Sequence, residues 1–154
     1  MTEGTRGVYA AIVGVAAIAI VFGLATRAEA GCRSGKPCHC GDKVRGHVIL
    51  TADLVDCEKV GLKLDHGAVL DCAGHEIRGA SQESEYGVRL DDVSDAEVRK
   101  CRIRGFKRGV RVRGGQKNRV LENVLEDNGL GIEVAGVTDA GTASGHRVEK
   151  NEIR

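Results

Sequence analysis

The chain has 154 residues, with 23 Lys+Arg against 22 Asp+Glu, six Cys, 22 Gly, one Pro, two Phe, two Tyr and no Trp. The near-neutral balance excludes a global field that would draw it to nucleic acid or membrane, and aromatics at 3 % exclude a core built on rings. Such a chain folds through many small aliphatic and β-branched contacts, and it turns often.

Residues 1–30 read MTEGTRGVYAAIVGVAAIAIVFGLATRAEA, uncharged from Gly7 to Thr26, with Ala28-Glu29-Ala30 before Gly31. This pattern is expected to be a secretory signal cut before Gly31. The alternative is an uncleaved anchor, because the apolar run is long enough to cross a bilayer, and only then is a membrane a partner. Either way the body of the protein is expected to be secreted, periplasmic or on the cell surface.

Residues 31–60 form the expected N-terminal cap. All six cysteines (Cys32, Cys38, Cys40, Cys57, Cys72, Cys101) follow the leader, and an even number in an oxidising compartment favours disulfides over metal. Cys32 with Cys38 and Cys40 with Cys57 are plausible local pairs that would staple this cap. Cys38-His39-Cys40 lacks paired C-x-x-C spacing, so no metal is expected there.

From residue 61 to 154 the chain repeats. Gly61-Leu-Lys-Leu64, Gly87-Val-Arg-Leu90, Gly109-Val-Arg-Val112 and Gly131-Ile-Glu-Val134 align at steps of 26, 22 and 22 residues. A second column, Cys72, Val98, Val120 and Val148, follows each alternation, and a third, Ile77, Ile103, Leu125 and Ile153, lies five further on. Cys101, Asn123 and Asn151 stand two places before the third column. Alternation of period two, broken by an odd step between the columns, predicts about three short strands per period with a bend between them. Strands this short, returning without hairpin turns, suit coils that stack in parallel about 4.8 Å apart.

VLDCAGHEIRG (Val69–Gly79), GVRLDDVSDAEVRKCRIRGF (Gly87–Phe106), GVRVRGGQKNRVLENVLEDN (Gly109–Asn128) and the closing GHRVEKNEIR together resemble the right-handed parallel β-helix repeats of the pectate-lyase-like superfamily, over roughly residues 46–154. The expected fold is therefore all-β, a right-handed parallel β-helix of about four 22-residue coils behind a stapled cap. The resemblance implies an inter-coil ladder of Cys101, Asn123 and Asn151 inside the bends. The last coil ends on a buried-strand motif without a polar cap, so further coils are expected to follow, with end-to-end self-association as the alternative.

The stretch RKCRIRGFKRGVRVR (Arg99–Arg113) holds eight Lys or Arg and no acid. Arg89, Arg102, Arg104 and Arg111 fall on outward positions between apolar ones, which solvent alone explains. Glu126 beside Arg104 and Glu133 beside Arg111 are the expected inter-coil ion pairs. With Phe106 as its one aromatic, the run offers no stacking platform, and nucleic acid is not expected.

Three functional expectations follow. The first is binding of an acidic polysaccharide on the outer face through a column of Lys63, Arg89 and Arg111, with Arg102 and Arg104 as further contacts. The second is a polysaccharide lyase or hydrolase. Lyases of the resembled class use Ca²⁺ held by carboxylates, and the candidates here are Asp91, Asp92, Asp95 and Glu97. A solvated loop is the favoured reading of those four, because Arg113-Gly114-Gly115-Gln116 supplies no carboxylate in the next coil. No catalytic residue is assigned, and no cofactor beyond that conditional Ca²⁺. His75 and His146 are read as lone turn or surface histidines, and His39, His66 and His75 show no ligand spacing for copper. The third expectation is a structural or interaction solenoid.

Overall fold

Each pass of the chain lays down one short strand in each of three sheets. The computed structural model describes residues 31–138, 141–142 and 145–154, so the leader-like segment 1–30 lies outside the described residues. Sheet one runs through Gly31–Cys32, Lys43–Val44, Val60–Leu64, Tyr86–Asp91, Arg108–Arg113 and Leu130–Ala135. Sheet two holds His47–Ile49, Val69–Asp71, Glu97–Arg99, Arg119–Leu121 and Arg147–Glu149. Sheet three holds Leu54–Cys57, Glu76–Gly79, Arg102–Arg104, Val124–Glu126 and Glu152–Ile153. All pairings within these sheets are parallel, and each joins a strand to its counterpart one coil away. The chain is thus an all-β parallel solenoid of about four turns, and coiling begins inside the stapled cap.

The interior is a set of aliphatic stacks. Val88, Val110 and Ile132 are in register, as are Leu70, Val98 and Val120, and Ile77, Ile103 and Leu125. Apart from half-buried Ile132, these side chains are all but inaccessible, and each contributes roughly 1.5–3 kcal/mol of burial. Phe106 is also fully buried, against Gly87 in the strand Tyr86–Asp91. The glycine column of the repeat has a steric cause. A Cβ on Gly109 would lie 2.7 Å from both the Gly131 carbonyl and Leu125 Cδ2, where the next coil passes.

The second column of the repeat is corrected at its first member. Leu70, not Cys72, stands in register with Val98. The coil from 61 to 79 reaches sheet two earlier and then spends extra residues on a corner where Ala73 and Gly74 both take positive φ. Cys72 sits in that corner and is bonded to Cys101. Cys32–Cys38 and Cys40–Cys57 form as expected, so all six cysteines are paired, as suits an oxidising compartment.

The corners carry an amide ladder that is wider than the repeat suggested. Asn118, Asn123 and Asn128 each take one corner of the same coil. Their Oδ1 atoms accept from the backbone N–H of Ala96, Cys101 and Phe106 at 3.0, 3.0 and 3.1 Å. Their Nδ2 groups donate to the carbonyls of Val93, Val98 and Ile103. Cys101 thus joins the ladder through its backbone, while its sulfur is committed to Cys72. In the following coil Asn151 Oδ1 accepts from the Asn123 N–H, and His146 Nδ1 accepts from the Asn118 N–H at 3.2 Å. His146 occupies an asparagine's place, and burial pushes its pKa below the ordinary imidazole value.

Candidate ligand-binding face

The basic stretch Arg99–Arg113 does not make one stripe, because two corners distribute it over three faces. Arg99 lies on sheet two and reaches Asp71 and Glu97, both at 2.9 Å. Arg104 lies on sheet three and bonds Glu76 at 3.2 Å; the expected neighbour Glu126 is in register but takes Arg154 instead. Arg108, Arg111 and Arg113 belong to sheet one. The predicted contacts therefore separate. Lys63, Arg89 and Arg111 share a face, while Arg102 and Arg104 stand on another.

On sheet one the outward column runs Lys43, Lys63, Arg89, Arg111 and Glu133, each in register with the next. A groove of about 600 Å³ opens beside it, lined by Asp56, Glu58, Lys59, Lys63, Glu85 and Arg89. A second hollow of about 210 Å³ continues past Lys43 to Asp91. Lys63 and Arg89 line both, so they form the ridge between them. Lys63 enters no ion pair among the described residues, and Lys43 meets only Asp65 at 3.4 Å. Hydrogen bonding from the His66 N–H holds the Asp65 carboxyl below the ordinary carboxylate range, against its own desolvation.

Arg111 is the most enclosed member of the column, 17 % exposed, and the expected pair with Glu133 is present at 3.7 Å. Its guanidinium also donates to the Tyr86 hydroxyl. The guanidinium carbons of Arg111, Arg108 and Arg89 stand 5.1, 5.7 and 5.8 Å from the Tyr86 ring centre, so three cations share one ring. Arg108 meets Glu133 at 2.7 Å, and Asp91 is approached by Arg89 at 2.5 Å and by Arg111 and Arg113 at 3.6 and 3.7 Å. Most of this is Coulombic contact. The Nε atoms of Arg108, Arg111 and Arg113 are buried without an aligned hydrogen-bond partner.

In the stretch LDDVSDAE, residues 92–96 make the inter-strand loop that its sequence suggested, but the two ends do not. Asp91 ends a strand inside the arginine cluster, and Glu97 is 4 % exposed between Arg99 and Arg119. Asp92 and Asp95 turn the chain at positive φ. No group of three or more His, Cys, Asp or Glu among the described residues is placed to hold a metal ion. His75 also departs from expectation. It is not alone, since its Nδ1 lies 2.9 Å from Asp53 Oδ1. The Glu76 N–H and that histidine lower the Asp53 pKa. Sequence could not pair the two, because Asp53 lies in the irregular first coil, outside the repeat. Tyr86 was missed for a related reason: it precedes the glycine that anchors the repeat.

No protein-family model matches the chain, and no curated protein or solved structure is significantly similar to it.

Proposed function

We propose that this is an extracytoplasmic parallel β-helix of the pectate-lyase-like kind that binds acidic polysaccharide across the outer face of sheet one. The observation that carries this reading is the in-register cation column Lys43, Lys63, Arg89 and Arg111 beside an open groove. A parallel sheet repeats its side chains every 4.8 Å or so, which suits a polymer bearing one charge per sugar. Lys63 supplies an uncommitted ammonium, and Arg89 offers the outer edge of its guanidinium beyond Asp91. The flanking Asp56, Glu58 and Glu85 supply acceptors for sugar hydroxyls. The three disulfides and the leader-like segment support a site outside the cytoplasm.

The test is calorimetry with polygalacturonate and with a neutral glucan. The intact protein should bind the first and not the second, with affinity falling as salt rises. Lys63→Ala with Arg89→Ala should weaken polygalacturonate binding by about tenfold or more, since two charge-assisted contacts are removed. Undiminished binding by that double variant would remove sheet one as the site.

A further inference from the structure

The groove accounts for Lys63 and Arg89 but leaves the other end of the face unexplained. There Arg89, Arg108 and Arg111 gather over Tyr86, with Arg113 beside them at Asp91, and among the described residues the four share two carboxylates, Asp91 and Glu133. Four guanidiniums against two acids leave an excess of positive charge at this end of the face. The bare structural alternative, a closed ion-pair network, would pair each fork with its own carboxylate. Instead the longer contacts stand at 3.6 and 3.7 Å, and three Nε atoms lack aligned partners. The side chains of Arg89, Arg108 and Arg113 keep between about a third and two fifths of their surface exposed, so their outer N–H groups face solvent.

We infer, resting on the acidic-glycan reading, that this arginine cluster over Tyr86 binds a tetrahedral oxyanion ester, sulfate or phosphate, carried by the polysaccharide. A carboxylate has two oxygens in one plane and is satisfied by a single fork. An oxyanion ester presents three acceptor oxygens in three directions. Here three guanidiniums lean on one ring from different columns and coils, Arg89 from one strand and Arg108 and Arg111 from the next. Their outer donors therefore converge from several directions rather than as one flat fork. Asp91 and Glu133 hold the forks in place from the strands on either side of Arg108–Arg113 and leave the excess charge to the ligand. The chain then distinguishes its partner by the kind of charged group, while the Lys63–Arg89 ridge responds to charge alone.

Dextran sulfate, dextran phosphate and carboxymethyl dextran of equal substitution share one backbone and differ only in the anion. At one fixed ionic strength the intact protein should bind an ester polymer about tenfold tighter than the carboxymethyl polymer, the scale of one additional charge-assisted contact. Which of the two esters binds tighter identifies the source of the oxyanion. Arg108→Lys keeps the charge but loses the fork, and should erase the preference while leaving carboxymethyl binding within about twofold. Arg113→Gln, at the rim of the cluster, gives a second reading if Arg108→Lys does not fold. Equal affinity for all three polymers would overturn the inference and leave the acidic-glycan reading standing. A preference that survives both variants would overturn the assignment to this cluster. Binding to none of them, nor to polygalacturonate, would overturn both readings.

Discussion

A single buried amide decides how neighbouring coils meet at each corner. At Asn123, 1 % exposed, the side chain accepts from the Cys101 N–H and donates to the Val98 carbonyl, while its own N–H donates to Asn151. An irregular corner cannot use the ladder hydrogen bonds of a strand, so without the amide two buried backbone groups lose their partners. Removing a buried partner costs about 1–3 kcal/mol, well above the net worth of a typical hydrogen bond. Asn123→Ala should therefore lower the unfolding free energy by that amount, and Asn118→Ala should do much the same. Asn128→Ala should cost less, because Asn128 is only half-buried and water can replace it. A urea titration of the three variants checks the order. Equal losses at all three corners would mean that burial does not set the cost.

At the scale of the coil, the third disulfide matters most because of what it joins. Cys72–Cys101 closes 29 residues and joins the corners between sheets two and three of two successive coils, whereas Cys32–Cys38 closes only 6 at the chain entry. In the chain-entropy account, cross-links of those lengths are worth about 3.6 and 2.2 kcal/mol, so Cys72→Ala with Cys101→Ala should lower stability by more than Cys32→Ala with Cys38→Ala. Thermal melts of the two double variants test the order. The reverse order would show that the cap sets the stability of the coils behind it. The same corner shows where the sequence was legible and where it was not. Glycine and aliphatic columns recur because each coil must clear its neighbour and fill the same interior, so Gly87, Gly109, Ile103 and Leu125 revealed the period. A longer corner obeys no such rule. Ala73 and Gly74 lengthen it at positive φ, and counting along the chain then put Cys72 where Leu70 belongs. On the outside nothing fixes partners by period alone. Arg104 was expected to meet Glu126 and meets Glu76, because outward forks reach either neighbouring coil with equal ease. The corner asparagines were half legible: Asn123 and Asn151 fell in a column, while Asn118 and Asn128 were marked only by their five-residue spacing from Asn123.

Over the whole molecule the charges are nearly balanced, +1 in sum, and ion pairs spread across all three faces, so pH acts through individual groups rather than through net repulsion. Two windows follow. Burial lowers the His146 pKa, and its Nδ1 must stay unprotonated to accept from the Asn118 N–H. A base depressed in the fold favours the folded state above its unfolded pKa, here about 6.5, and that contribution is lost as pH falls through the lower folded value. The corner between sheets one and two of the last coil should loosen first, seen as faster exchange of the Asn118 amide while the far-ultraviolet spectrum holds. The second window belongs to the carboxylates. Asp71 is opposed by desolvation, yet the Ala73 N–H and the Arg99 guanidinium outweigh it and hold its pKa low; Asp53, Asp65 and Glu83 are lowered as well. An acid depressed in the fold contributes fully above its unfolded pKa of about 3.9 and loses that contribution below it. Stability should therefore hold to about pH 4 and fall steeply beneath it. Asp71→Asn isolates one such group. It should be less stable than the parent at pH 7, and that deficit should shrink toward pH 2 as Asp71 takes up its proton, give or take about half a kcal/mol. A deficit of the same size at both pH values would show that the Asp71 side chain acts by shape, through Ala73 and the Cys72 corner, rather than by its charge on Arg99.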